Sequence, residues 1–166
     1  MLPDHPATAH NLKREAAARD VDPARLIFAP RMPPAEHLAR HRAAGLFLDT
    51  LPYNAHTTAA DALWAGLPVL TRRGASFAGR VATSLLDAIG LGEMVTTTAA
   101  DYERLAVELA SDPQRLGAIR ARLADNRLST PLFDTRLFTA HMEAAFVAMH
   151  ERHQAGLPPD HLQIQA

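Results

Sequence analysis

The chain has 166 residues, 48% apolar and 21% charged, with 17 Lys+Arg against 18 Asp+Glu for a net charge of −1. Such a composition fits one globular domain over residues 1–166 and excludes wholesale disorder; near neutrality removes the electrostatic case for nucleic acid or an anionic membrane. Having no cysteine, the chain has no disulfides, thiolate metal sites or cysteine nucleophiles, and its single lysine, Lys13, leaves little room for lysine chemistry.

No apolar run reaches the ~18–20 residues of a membrane span, and the first ten residues lack a basic-then-apolar leader pattern, so a cytoplasmic chain is expected. Residues 7–20 are rich in helix formers and stop before Asp22-Pro23. RLIFAP (25–30) reads as a short buried strand. Pro33-Pro34 opens a helix that Gly45 ends. LFLDT (46–50) is the next strand, and Thr57 or Thr58 is a suitable N-cap for the helix that Gly66 closes. PVLT (68–71) is a third strand, RRGASFAG (72–79) a glycine-bearing loop, and residues 80–90 a helix ending at Gly90. MVTT (94–97) is a fourth strand, with the threonines 96–98 capping a helix over 99–110. Asp112-Pro113 starts the next helix, which runs to about Asn126. A final helix covers roughly 135–155, and the tail 157–166 is irregular. Short strands alternating with helices require crossover connections, which implies an α/β fold: a Rossmann-like parallel sheet with helices on both faces.

In an open parallel sheet, ligands bind beyond the carboxyl ends of the strands, where the following helices begin. Three loops reach that edge. In the first, residues 49–58, a helix start offers unpaired N–H groups suited to a phosphate, with His56, Thr57 and Thr58 as further donors. Asp61 lies three residues beyond Thr58 and can face the same crevice, where a carboxylate accepts from a ribose diol. On local spacing alone, the plainer account comes first: the threonines are helix caps and His56 a solvated loop residue. In the second, residues 33–41, His37 and Arg40 share a helix face; His37 and His41 at i, i+4 offer a metal pair, but no third ligand stands at a recognisable spacing. A solvated amphipathic helix explains the same pattern. The third, residues 72–81, matches neither the P-loop nor the G-x-G-x-x-G fingerprint, and Ser76 lacks a nucleophile elbow; backbone geometry is the plainer reason for its glycines. Trp64, Leu63, Leu85 and Leu86 are expected in the core. His5, His10, His141, His150, His153 and His161 are expected at the surface.

Taken together, RLIFAPR, EHLAR, FLDTLPYNAHTTAADALWAGLPVLT and AGRVATSLL closely resemble the C-terminal catalytic half of the SPINDLY-type O-linked N-acetylglucosamine transferases. The resemblance runs from about Asn11 to Pro159, and its most specific element is H-T-T-x-x-D-x-L-W-A-G-x-P. It implies the C-terminal half of a GT-B glycosyltransferase, in which two Rossmann-like domains face each other across a cleft. The implied donor is a UDP-sugar, UDP-N-acetylglucosamine in the family, and no separate cofactor is needed. By the resemblance His56, Thr57 and Thr58 grip the diphosphate, Asp61 the ribose, and His37 packs on the uracil. Arg40 is a nearby cation, and the backbone near Met32 reads the uracil edge. Transfer is expected to be metal-independent, with no metal ligands and no catalytic residue assigned within this chain.

Two departures accompany the resemblance. Pro34 stands where the family commonly has a lysine, leaving Arg31 and Arg40 as alternative cations. A second family lysine, upstream of residue 11, has no counterpart in Met1–His10. The implied partners are an acceptor protein or peptide, the N-terminal GT-B half and tetratricopeptide repeats. The last two are not among these residues, which leads to the expectation of a fragment or split-gene product inactive by itself. In the last helix, Leu137, Phe138, Met142, Ala145, Phe146 and Met149 form an apolar stripe, either open or packed on the chain's own sheet. Two alternatives stand beside the main reading: the same fold using UDP-glucose, and a non-catalytic nucleotide-sugar sensor or dimerisation module.

Overall fold

A computed structural model describes residues 6–164. The chain divides into two compact units, one ending at Arg40 and the other beginning at His41. The first unit contains helix α1 (Pro6–Ala17), a 3₁₀ turn at Pro23–Arg25 and helix α2 (Pro34–Arg40). The Asp22 carboxylate caps the 3₁₀ turn by accepting from the Ala24 N–H at 2.9 Å. The expected strand at 25–30 does not form: Arg25 closes the 3₁₀ turn, and residues 26–33 run without regular structure into α2. Prolines 30, 33 and 34 deny this stretch the donors a sheet ladder needs, so its apolar run has no partner strand. Within the same unit, the Lys13 ammonium lies 5.9 Å above the Phe28 ring.

The second unit is an α/β layer. Its strands are β1 (Phe47–Leu48), β2 (Val69–Arg72) and β3 (Val95–Thr96), in the order β1-β2-β3 and all parallel. Among the described residues three strands form where four were expected. Phe47 pairs with Val69 and Leu48 with Leu70; Thr71 pairs with Val95 and Arg72 with Thr96. Helix α3 (Thr57–Trp64) joins β1 to β2, and α4 (Val81–Ala88) joins β2 to β3. Each helix carries a crossover between neighbouring parallel strands, and the two helices pack together. Helices α5 (Ala99–Ser111), α6 (Pro113–Asn126) and α7 (Thr135–Gln154) follow, α5 lying against β2 and β3.

The core gathers around the central strand: Val69 and Leu70 from β2, Leu63 from α3, Leu86 from α4, Leu109 from α5 and Leu123 from α6 are all fully buried. Local signals place the helix ends. Thr98 and Asp112 cap α5 and α6 through their side chains, and Pro113 occupies the first turn of α6. Gly66 and Gly90 end α3 and α4 at φ 82° and 71°, a left-handed conformation that residues with a Cβ rarely adopt.

One expectation about packing fails, and one left open between two alternatives is decided. Leu63 and Leu86 are core and Leu85 packs against it, but Trp64 is 44% exposed. It sits at the rim, edge-to-face with Phe133 at 5.1 Å, and under the Arg127 guanidinium at 5.5 Å. The α7 stripe does not pack on the sheet, since no α7 residue is buried and Phe138 and Phe146 are 63% and 58% exposed. Residues 157–164 are irregular and return along the end of α7, where the Arg152 side chain donates to the Pro158 carbonyl and meets the Asp160 carboxylate at 3.2 Å. Residues 165 and 166 of the expected tail lie outside the described residues.

Candidate functional site

At the carboxyl edge of the sheet, polar residues near the ends of the strands or just past them, Asp49, Thr71 and Thr96, bond to one another. Asp49 follows β1 and is buried; one carboxylate oxygen accepts from the Ala55 N–H at 2.7 Å, the other from the Thr71 hydroxyl at 2.7 Å. The Thr96 hydroxyl donates to the Thr71 carbonyl at 3.0 Å. The Tyr102 hydroxyl, from α5, donates to the Asp49 carbonyl at 2.7 Å. Burial, and after it the charge of Asp49, pushes the Tyr102 phenol up to about 12, with Arg72 pulling the other way. This ladder fixes where residues 50–56 leave the sheet and enter α3. The loop is closed further by Asn54, which is buried and donates through Nδ2 to the Thr50 carbonyl at 3.0 Å.

The α3 entrance is open to a ligand in the chemical sense. The helix starts at Thr57, so the cap position falls to His56 rather than to Thr57 or Thr58, and the His56 side chain makes no capping bond. The reason is the Asp49 anchor, which brings Ala55 onto the strand end and leaves a single residue before helical geometry begins. Thr57 and Thr58 occupy the first turn with exposed side chains, no acidic residue shares that turn, and Asp61 follows half-buried one turn on. His56 Nε2 is buried without a hydrogen-bond partner. A cavity of about 360 Å³ opens here, bounded by Asp49, Thr50, Tyr53, Asn54, His56 and Thr58 among others. His56, Thr57, Thr58 and Asp61 thus share one helix start at the mouth of the sheet.

The β2–α4 loop lies against the β1–α3 loop. Gly74 and Gly79 come so close that a Cβ on either falls 3.2 Å from the other's Cα, which explains both glycines by backbone approach. The Asn54 N–H donates to the Ala78 carbonyl at 2.9 Å and joins this loop to the first. Arg72, Arg73 and Arg80 stand on it outside every ion pair among the described residues.

Met32, His37 and Arg40 belong to the other unit and are described within it. Met32 lies in the irregular stretch before α2, and His37 is half-buried on α2, its N–H donating to the Pro33 carbonyl at 2.9 Å. Arg40 ends α2 and donates from Nη1 to the Pro30 carbonyl at 2.8 Å, which pins the stretch that carries Met32. Pro34 is the first residue of α2. His41 falls in a 3₁₀ turn after α2, so it and His37 do not form an i, i+4 pair on one helix. No group of three metal-ligating side chains occurs among the described residues. His10, His150, His153 and His161 are exposed; His141 is half-buried and His5 lies outside the described residues.

A family model described as Glycosyl transferase family 41 matches residues 2–142. The chain belongs to this family. It is 37% identical over 152 residues to a UDP-N-acetylglucosamine–peptide N-acetylglucosaminyltransferase of Caenorhabditis elegans, covering 92% of this chain and 13% of that protein. It is 39% identical over 150 residues to the probable UDP-N-acetylglucosamine–peptide N-acetylglucosaminyltransferase SEC of Arabidopsis thaliana, covering 90% of this chain and 15% of the relative. A solved structure of a mutant O-GlcNAc transferase from Thermobaculum terrenum superposes with a TM-score of 0.81 at 38% identity, over 87% of this chain and 28% of that one. The family 41 chain described here therefore spans about one seventh of the length of these curated relatives. Its α/β sheet corresponds to part of an O-GlcNAc transferase structure.

Sequence reasoning assigned no role to Asp49, Tyr53, Thr71 or Phe77, and read Thr96 only as part of a helix cap that Thr98 alone supplies. The signal for three of them was available: the apolar runs FL, VL and MV each end in Asp or Thr, and polar residues at consecutive strand ends can bond across a parallel edge.

Proposed function

We propose that this chain is the UDP-sugar-binding domain of a metal-independent, inverting glycosyltransferase that modifies protein hydroxyls with N-acetylglucosamine. The observation that carries the reading is the α3 entrance, an uncapped helix start at the mouth of a parallel sheet in a family 41 chain. Unpaired N–H groups at such a start, with the partial positive charge of the helix behind them, suit a diphosphate. Thr57 and Thr58 add hydroxyl donors and His56 an imidazole. Asp61, one turn on, accepts from the ribose diol. For the first unit taken by itself, the family resemblance supports His37 as the residue that stacks on a uracil, Arg40 as a cation beside it and the backbone at Met32 as the reader of the base edge.

In the transfer step the acceptor hydroxyl attacks the anomeric carbon, the glycosidic bond to the phosphate breaks, and UDP departs with the electron pair. The helix start and its donors stabilise the charge that develops on that leaving group. The residues named here bind and orient the donor; none is assigned as the base. Positioning an acceptor requires an opposing wall of the cleft, so the 166 residues alone bind UDP weakly and transfer nothing.

Calorimetric titration with UDP, UDP-N-acetylglucosamine and UDP-glucose tests this. Saturable binding that drops at least tenfold in His56→Ala and in Asp61→Ala is expected, with the preferred sugar identifying the donor. Wild-type binding to none of the three contradicts it. The open α7 stripe favours a second reading, an interaction module, which gains if that failure comes with a stable dimer by light scattering.

A further inference from the structure

We propose that Tyr53 is a positioning residue for His56, holding its imidazole in place for a nucleoside diphosphate while Phe77 bounds the ring from the side; this rests on the reading of the α3 entrance given above. The two rings stack with centroids 4.7 Å apart and planes 18° from parallel. Phe77 meets the same imidazole edge-on at 6.1 Å and 89°. No capping bond orients the His56 side chain, and its Nε2 has no partner, so the aromatic contacts are what select its rotamer.

Neither aromatic ring is there to fill the core. Tyr53, which lines the cavity, is 64% exposed and Phe77 77%, large aromatic surfaces left in water. They come from different loops, Tyr53 from the β1–α3 loop and Phe77 from the β2–α4 loop. Those loops are joined by the Asn54–Ala78 backbone bond, and a Cβ at Gly79 falls 3.3 Å from the Pro52 carbonyl. The clamp therefore forms only when both loops are in place.

Stacking suits this task because ring nitrogens lie in the ring plane. A face-on neighbour restrains the imidazole without occupying either nitrogen, leaving both for hydrogen bonds. A shielded nitrogen without a partner is costly, and a phosphate oxygen supplies the missing bond. Both flanking rings are exposed enough to shift as that oxygen approaches. Ordering the ring in advance lowers the entropy lost on binding.

The test uses the 166-residue chain with Tyr53→Ala, Tyr53→Phe and Phe77→Ala. In the free protein, the His56 ring-proton resonances are expected upfield in the wild type and in Tyr53→Phe, and relaxed toward ordinary values in Tyr53→Ala. By calorimetry, Tyr53→Ala is expected to lose about three- to tenfold in UDP affinity while uridine, which lacks phosphates, binds unchanged. Tyr53→Phe keeps both affinities, and Phe77→Ala gives a smaller, equally selective loss that stands in if Tyr53→Ala fails to fold. UDP binding untouched by loss of the stack, or UDP and uridine weakened equally, overturns the positioning role alone. A wild-type chain that binds neither overturns the diphosphate reading and this inference with it.

Discussion

Asp49 shows how much of the candidate site depends on one buried side chain whose two oxygens both bond to the protein itself. Its two oxygens accept from the Ala55 N–H and the Thr71 hydroxyl, so the carboxylate fixes both the entrance to α3 and the end of β2. Asp49→Asn turns one acceptor into a donor facing another donor. A loss of about 1–3 kcal/mol is expected, measured as a lower urea midpoint, with UDP binding weakened because α3 is no longer anchored. Tyr102 makes a second prediction. Its phenol is raised from an ordinary 10.0 to about 12, chiefly by burial. The folded state thus holds this proton more tightly than the unfolded chain. The resulting stability is complete below pH 10 and is lost as pH rises from about 10 to 12. Alkaline denaturation curves of the wild type and Tyr102→Phe should differ in that interval, with the wild type losing stability more steeply. At this scale the grouping of His56, Thr57, Thr58 and Asp61 at one helix start was legible only through the H-T-T-x-x-D pattern of the family resemblance, since local spacing favoured plain capping. Tyr53 and Phe77 were not legible, because their meeting at His56 joins two loops brought together by backbone bonds that no local pattern encodes.

The elements of the second unit follow their local signals closely. Thr98 caps α5, Asp112 with Pro113 opens α6, and Gly66 and Gly90 end α3 and α4, all at positions where residue type alone predicts a boundary. Two readings failed for opposite reasons. RLIFAP has the apolar content of a strand, yet the prolines after it and the 3₁₀ turn before it leave no ladder to join. Thr57 is a good capping residue displaced by tertiary structure, since the Asp49–Ala55 bond brings the chain into the helix at His56. The β2–α4 loop carries the prediction for this scale. A methyl at Gly79 meets the Gly74 Cα at 3.2 Å and the Pro52 carbonyl at 3.3 Å, both backbone atoms that cannot rotate aside. Gly79→Ala is therefore expected to cost about 1–3 kcal/mol in thermal or urea unfolding. It should also loosen the contact between Phe77 and His56, visible as altered His56 ring resonances.

As a whole, the second unit buries its apolar surface around β2 and leaves α7 outside it. The stripe on α7 was visible in the sequence, but periodicity reports only that a face is apolar and not what covers it. Because Phe138 and Phe146 are exposed, replacing both with serine should change the unfolding free energy by less than about 0.5 kcal/mol. The same pair should reduce dye binding to exposed apolar surface, and self-association if light scattering detects any in the wild type. A large loss of stability would mean that α7 packs on the domain after all. The central claim, that the start of α3 receives the phosphates of a uridine nucleotide, is tested most directly by following backbone amide resonances during titration with UDP. The account predicts saturable shifts concentrated at Thr57, Thr58 and Asp61, with uridine leaving the two threonine amides in place. Shifts confined to α7, or none at UDP concentrations in the millimolar range, would contradict it.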